Sequence, residues 1–254
     1  MTLQFNTGAS WYPLFMSMSI FISILSFFMF LNFKLLTIWL SLIFFGLMSF
    51  MWYRDLVRES LYVGSQNLLM ILSIKLGMVF MILSEVFFFV SFFWTFMHFM
   101  FMYSGEMGYV WPPVNINSVN YMSIPLLNTL ILLSSGCSLT ISHMFLLMSS
   151  QQMKSYLMYT IFLGLVFTFC QSWEYWMLDF LWSNSCFGSI FYMGTGFHGI
   201  HVIIGSLILI IVFSRSLSTS ISSINNIFEL GSWYWHFVDV VWIFLFSEFY
   251  WFSF

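Results

Sequence analysis

The sequence predicts an all-α integral membrane protein, because its composition excludes a soluble domain and its apolar runs have membrane-spanning length. Of the 254 residues, 61% are hydrophobic and 6% are charged, and the mean hydropathy is +0.95. A soluble domain carries about 25% charged residues, so this chain could not cover a water-facing surface. With a net charge of -3, we expect no nucleic-acid partner.

Charged and polar clusters divide the chain into seven apolar stretches, and a span needs about 20 such residues. We therefore predict seven transmembrane helices in a single membrane domain, residues 1–254, with helices 1–2 at about 11–53 and helices 3–7 at about 70–252. A Gly-, Pro- and Asn-rich segment at about 104–120 predicts an ordered loop. The stretches cover about residues 11–33, 35–53, 70–103, 121–148, 155–177, 186–214 and 230–252.

The basic residues predict the direction of these helices. Seven spans place five of them on the side of the N-terminus: Arg54, Arg58, Lys75, Lys154 and Arg215. Lys34 is on the opposite side. By the positive-inside rule, the N-terminus faces the cytoplasm-like compartment and the C-terminus faces outward.

Glu85 is a carboxylate within the apolar run from Leu76 to Trp94. Its own helix offers it no partner, since the residues three and four positions away are Met81, Ile82, Phe88 and Phe89. A charged side chain at mid-helix in lipid costs at least about 2.5–3.5 kcal/mol. We therefore predict a buried carboxylate with a proton-related role.

The sixth stretch contains a polar stripe that occupies one helical face. It consists of Gly194, His198, His201 and Gly205. Small residues allow close helix approach and polar ones add interhelical hydrogen bonds, which favours a helix-packing face. The alternative is the lining of a proton or ligand path.

Two further groups of polar residues lie in or beside predicted spans. His236 and Asp239 are three residues apart on the seventh helix, and a structural intramembrane pair is favoured over a proton relay. Where the second helix leaves the membrane, Arg58 and Glu59 belong either to a self-paired helix end or to a lipid-phosphate site. The five histidines are not clustered as metal or haem ligands, and we expect neither group in this chain.

Several longer motifs together resemble subunit III of cytochrome c oxidase, in that family's order and with similar spacing from about residue 11 to the end. The most specific are GTGFHGIHVIIG at 194–205 and WYWHFVDVVW at 233–242; YRDLVRES, SEVFFFVSFFW, WPP and IPLLNTLILLSSG accompany them. The composition includes 35 Phe and 20 Met, and Ala9 is the sole alanine. This bias indicates an AT-rich genome, as in animal mitochondria, and the chain looks like a mitochondrially encoded member.

The resemblance implies a subunit of the mitochondrial inner membrane, with the N-terminus on the matrix side and the C-terminus on the intermembrane-space side. The family's first two helices are splayed from a bundle of five and hold phospholipids between them. Subunit III itself carries no haem or copper, which belong to partner subunits, and it supports proton uptake and the catalytic centre. It packs chiefly against subunit I, with subunit II and small accessory subunits also in the complex.

By motif, Glu85 matches the family's buried carboxylate, and Arg58, Glu59 and Arg215 match positions near bound lipid. Members commonly have a His pair where this chain has His143 and Met144, and another where it has Asn225 and Asn226. Because those histidines are absent here, the sequence does not support a histidine-dependent lipid or proton role at these positions.

Two other functions compete with an oxidase subunit. One is an independent seven-helix proton or solute transporter that uses Glu85, and the other is a membrane receptor. A transporter would normally show internal repeats or helices broken in both halves, and the sequence has neither. A receptor needs an extramembrane ligand surface, whereas the loops here are short.

Overall fold

The computed structural model describes residues 10–34, 37–59, 68–102, 111–113, 116–117, 119–218 and 224–253. The loop predicted at 104–120 therefore lies largely outside the described residues. Within these ranges the chain forms seven α-helices and no strand, which confirms the all-α prediction.

The helices follow the predicted apolar stretches closely. They are α1 (Tyr12–Phe33), α2 (Thr37–Arg58), α3 (Leu68–Phe101), α4 (Ile124–Leu147), α5 (Gln152–Met177), α6 (Cys186–Ser218) and α7 (Asn225–Leu245), and a π-helix at Phe246–Trp251 follows α7. When the π-helix is counted with α7, the largest differences are five residues each: the end of α2 at 58 against 53 and the start of α7 at 225 against 230.

Local sequence explains several helix ends. Proline lies in the first turn of α1, as Pro13, and of α4, as Pro125, where its fixed φ suits a helix and its missing N–H costs no hydrogen bond. The α1 helix ends at Lys34, which adopts a left-handed conformation with φ 53° and donates its N–H to the Phe30 carbonyl at 2.9 Å. This local geometry is a common helix stop.

The chain divides into two compact units, Met1–Ile74 and Lys75–Phe254. In the first unit, α1 and α2 form an antiparallel hairpin, since Tyr12 donates to Asp55 at one end and Ser26 lies 2.5 Å from Ser41, oxygen to oxygen, near the other. Ser26 and Ser41 are buried while most large apolar side chains of the hairpin are exposed. The two hydroxyls allow the helices to approach closely and bond across the interface.

In the second unit, α7 is enclosed by four helices, and eleven of its 21 residues are buried. It contacts α4 through Trp235 and Ser135, whose Nε1 and Oγ are 2.9 Å apart. Other contacts reach α3, α5 and α6: Phe237 with Phe89, Trp242 with Phe167, and Val238 with His198. The core of this unit therefore surrounds α7.

Six of the helices are long and apolar enough to cross a membrane. The exception among the described helices is α7, whose apolar sequence is interrupted by Glu229, His236 and Asp239. Because α7 is enclosed by its neighbours, most of its polar side chains need no contact with lipid. That α7 itself spans the bilayer stays a prediction.

Candidate functional site

Glu85 lies in the middle of α3, and its partner comes from α6. The carboxyl Oε2 is 3.1 Å from Nε2 of His201. The sequence correctly predicts no partner on the same helix, but it does not identify this one, which is 116 residues away along the chain.

Glu85 is less buried than the sequence predicts. Its side chain is 30% exposed, against 10% for His201. The side chain is covered where it meets His201 of α6 and lies near Tyr234 of α7, and part of it stays exposed because α3 contributes few residues to the core; Phe89 and Phe96 are its buried positions in the described structure. The other side of the carboxyl faces away from the core of this chain, towards whatever borders α3 in the membrane.

Hydrogen bonding determines which ring nitrogen of His201 carries a proton. Its Nδ1 is 2.7 Å from the backbone carbonyl of Phe197, and a carbonyl only accepts, so Nδ1 must donate. Nε2 then either accepts a proton from a neutral Glu85 carboxyl or, in the imidazolium form, donates one to a carboxylate. In both states one proton lies between the two residues, so the pair can hold and transfer a proton without a change in net charge.

Aromatic rings surround the imidazole of His201. Phe89 meets the His201 ring edge to face at 5.1 Å, and Tyr234 stacks on it at 6.4 Å. Phe237 lies 6.3 Å away, ring centre to ring centre. Such low-polarity surroundings strengthen a satisfied hydrogen bond and penalise a broken one.

The polar stripe of α6 contacts two different helices. Gly205 faces α7, where a Cβ would lie 3.0 Å from the Trp235 ring, and Gly194 faces the π-helix that continues α7, where a Cβ would overlap Phe249. His198 is buried and donates from Nε2 to the Val238 carbonyl on α7 at 3.2 Å. His201 instead bonds to α3, so the stripe combines packing on α7 with the Glu85 pair.

His236 and Asp239 lie on the same face of α7, but they are not hydrogen-bonded. Nδ1 and Oδ2 are 3.9 Å apart, which is longer than a hydrogen bond. Both face Gly136 of α4, whose Cβ would lie 2.6 Å from the Asp239 carboxyl oxygen. The close approach of α4 to Asp239 therefore requires glycine, and the backbone of α4 sets the position of the carboxyl.

The predicted lipid-binding residues lie in separate units. In the first, Arg58 is exposed and Nη1 is 4.0 Å from Oδ1 of Asp55, which also accepts from Arg54 at 3.0 Å. Glu59 directly follows α2. In the second, Arg215 lies in the last turn of α6 and is buried.

The sequence interpretation missed Glu174 and its polar neighbours in α5. Glu174 is 2% exposed, and Gln171, one turn earlier, is 5% exposed. The signal was present in QSWEY at 171–175, since two long polar side chains three residues apart share a helical face. Across the described ranges, no three His, Cys, Asp or Glu side chains cluster as a metal site.

Comparison with known proteins identifies the family to which this chain belongs. The sequence model of the family described as cytochrome c oxidase subunit III matches residues 5–254. A cytochrome c oxidase subunit 3 from Lemur catta is 45% identical over 207 residues, 81% of this chain and 76% of that protein. The one from Tachyglossus aculeatus aculeatus is 47% identical over 205 residues, 80% and 78% of the two chains.

An arthropod relative extends the match. The cytochrome c oxidase subunit 3 of Rhipicephalus sanguineus is 44% identical over 225 residues, which cover 87% of each chain. The family motifs identified in the sequence, the all-helical fold and these matches agree. The chain therefore belongs to the cytochrome c oxidase subunit III family.

Proposed function

We propose that this chain is a cofactor-free, non-catalytic membrane subunit of cytochrome c oxidase, the complex that passes electrons from cytochrome c to oxygen with proton pumping. The observation that carries the proposal is the family match over residues 5–254, with relatives named as subunit 3 of that enzyme. Haem and copper then reside in partner subunits. The large apolar surface of the chain also supports a place within a membrane complex.

The proposed location is the mitochondrial inner membrane, with the N-terminus in the matrix and the C-terminus in the intermembrane space. The excess of Arg and Lys on the N-terminal side supports this orientation. Subunit I is the chief partner, with subunit II and small accessory subunits in the same complex. The splayed arrangement of the first two helices stays a prediction.

The pair of Glu85 and His201 provides a chemical basis for a proton-related role. Oε2 and Nε2 are 3.1 Å apart, a distance at which the two side chains can share one proton, and the Glu85 side chain is 30% exposed to a neighbour. A proton arriving at one partner can displace the shared proton towards the other, so the pair buffers or relays protons for chemistry in a neighbouring subunit. Glu85 is then a supporting residue of the complex, outside its catalytic centre.

Phospholipid is the second proposed ligand. Guanidinium groups at headgroup depth bind phosphate through charge-assisted hydrogen bonds, and Arg58 and Arg215 both lie in the last turn of a long apolar helix. We expect Arg58→Ala to reduce the anionic lipid retained by the purified complex, measured by mass spectrometry. Lys34→Ala, on the opposite side of the predicted bilayer, is the control. Unchanged lipid content in Arg58→Ala would contradict this role.

Co-purification tests the subunit assignment. An affinity tag on this chain should isolate haem- and copper-bearing subunits, and the chain separated from them should have no visible absorption of its own. The competing function is the independent transporter that uses Glu85. A stable, isolated chain that moves protons across liposomes, and loses that activity in Glu85→Gln, would contradict the assignment.

A further inference from the structure

A second acidic site lies at the end of the bundle where α5 ends and α6 begins. Glu174 in the last turn of α5 is 2% exposed, and neither carboxyl oxygen has a hydrogen-bond partner in the described structure. The hydroxyl of Tyr250, on the π-helix, faces this carboxyl without reaching hydrogen-bond geometry. No ion pair of Glu174 is formed within the described part of the chain. This carboxyl is therefore buried without the partner that Glu85 has.

Two amides extend the cluster towards α4. Nδ2 of Asn128 lies 3.4 Å from Oε1 of Gln171, a long hydrogen bond between fully or nearly fully buried side chains. The remaining amide atoms, Oδ1 of Asn128 and Nε2 of Gln171, have no partner among the described residues. Gln171 also faces the hydroxyls of Tyr175 and Tyr250. Three helical elements, α4, α5 and the π-helix, thus direct polar atoms towards one another, and several of these atoms have no hydrogen-bond partner among the described residues.

Polar atoms at such spacing suit bridging water. Buried polar groups left unpaired are costly, and proteins usually satisfy them with internal water that makes about three hydrogen bonds. Glu174 also lines a cavity of about 210 Å³ at this end of the bundle, and a water occupies about 30 Å³ in the liquid. The other polar lining residues are Asn117, Asn120, Ser123 and Asp179. The cavity therefore has both the volume and the polar lining to supply several waters.

The titratable groups that face Glu174 come from its own helix, from α6, from the π-helix and from the loop after α5. They are Tyr175, Tyr192, Tyr250 and Asp179. Each of these four groups is neutral when protonated and negative when deprotonated. The contribution of α4 is the neutral Asn128. Nothing in this set supplies a compensating positive charge, so water and a proton are the partners that the site can take.

We propose that Glu174, Gln171, Asn128 and Tyr250 form an internal water-binding site through which the Glu174 carboxyl exchanges its proton with the aqueous phase at this end of the bundle. The proton passes between the carboxyl oxygen and a cavity water, which becomes hydronium and returns to bulk, and no electron is transferred. The site is distinct from Glu85 and His201, which lie near the middle of α3 and α6. In the predicted orientation it faces the intermembrane space.

Infrared spectroscopy of the purified oxidase complex tests this proposal. We expect a carboxyl C=O band that changes amplitude as the bulk pH is varied and shifts to lower frequency after transfer into D₂O. The isosteric Glu174→Gln should abolish that band, and Tyr250→Phe should shift its frequency. The matched control is Glu229→Gln, which makes the same substitution at a carboxyl of α7 that is paired with Lys75 and lies outside this cavity, and it should leave the band in place.

Three results would overturn the proposal: a wild-type spectrum without a pH-dependent carboxyl band, a band that persists in Glu174→Gln, or one that does not respond to D₂O. The unmodified complex supplies a measurement that needs no variant. A density map should show ordered water within hydrogen-bond distance of Glu174 and Gln171, and a dry cluster would also overturn it. Loss of the band with normal co-purification of the haem-bearing subunits separates this site from the subunit assignment.

Discussion

The helices α7 and α3 carry polar residues of similar kinds but differ in what surrounds them. Eleven of the 21 residues of α7 are buried against four neighbouring helices, whereas the buried residues of the 34-residue α3 are Phe89 and Phe96. The two helices therefore have different roles. The α7 helix organises the fold of the second unit, while α3 exposes apolar surface and one side of Glu85 to its surroundings.

The largest expected contrast comes from adding one methyl group to each region. A Cβ at Gly164, on α5, would lie 2.6 Å from the Trp235 ring of α7, whereas a Cβ at Gly77 of α3 would meet nothing within 4 Å in the described structure beyond its chain neighbours and the backbone of its own helix. Alanine gains about 1 kcal/mol in helix propensity, but overpacking costs about 1–3 kcal/mol. We expect Gly164→Ala to lower the temperature at which the subunit leaves the complex.

Gly77→Ala is the matched control and should leave that temperature unchanged or raise it. Differential scanning fluorimetry of the purified complex, followed by electrophoresis, measures both variants. Equal effects of the two substitutions would mean that α7 is not the tightly enclosed helix described here.

Tryptophan substitutions sharpen the same contrast. Trp235 is fully buried and donates to Ser135 at 2.9 Å, whereas Trp94 of α3 is 76% exposed. Trp235→Phe removes the hydrogen bond and part of a buried ring, at a cost of about 1–3 kcal/mol, while the Ser135 hydroxyl still donates to the Leu132 carbonyl. Trp94→Phe should cost less than about 0.5 kcal/mol. Urea-induced release of the subunit measures both, and a larger effect at Trp94 would reverse the assignment of the two faces.

Glu85 makes a polar contact from α3 to α6, so two substitutions at this position separate the effect of the hydrogen bond from that of apolar burial. In Glu85→Gln the amide can still donate to Nε2 of His201, and we expect a change in stability below about 1 kcal/mol. In Glu85→Leu the imidazole loses its partner, at a cost of about 1–3 kcal/mol. Steady-state proton uptake by the complex should fall in both variants. Normal uptake in both would exclude a proton-related role.

The smallest effect is expected at the ion pair between Lys75 of α3 and Glu229 of α7. Both side chains are a little under one-third exposed, and such pairs contribute about 0.2–1 kcal/mol and weaken with salt. Lys75→Met should therefore lower the stability of the complex only slightly, with the difference from wild type disappearing at high ionic strength. A large, salt-independent loss would show that this pair, rather than aromatic packing, joins α3 to α7.

Helix positions were predictable because each apolar stretch has the length that the bilayer requires. The pairing of side chains was not, since Glu85 and His201 belong to separate helices and neither sequence period nor spacing links residues 116 positions apart. Periodicity placed His198 and His201 on one face, yet adjacent turns of that face meet different helices. Spacing also placed His236 and Asp239 on one face, but it could not give the 3.9 Å between Nδ1 and Oδ2, which is within ion-pair distance and too long for a hydrogen bond.

The most direct test concerns the shared proton of Glu85 and His201 in the intact complex. Infrared difference spectra of Glu85→Gln against wild type, with isotope-labelled histidine, report the imidazole bands when only the carboxyl is changed. The proton-sharing pair predicts that the ring bands of His201 shift in Glu85→Gln and that the carboxyl band of Glu85 shifts in His201→Gln. Histidine bands that are identical in wild type and Glu85→Gln would contradict it.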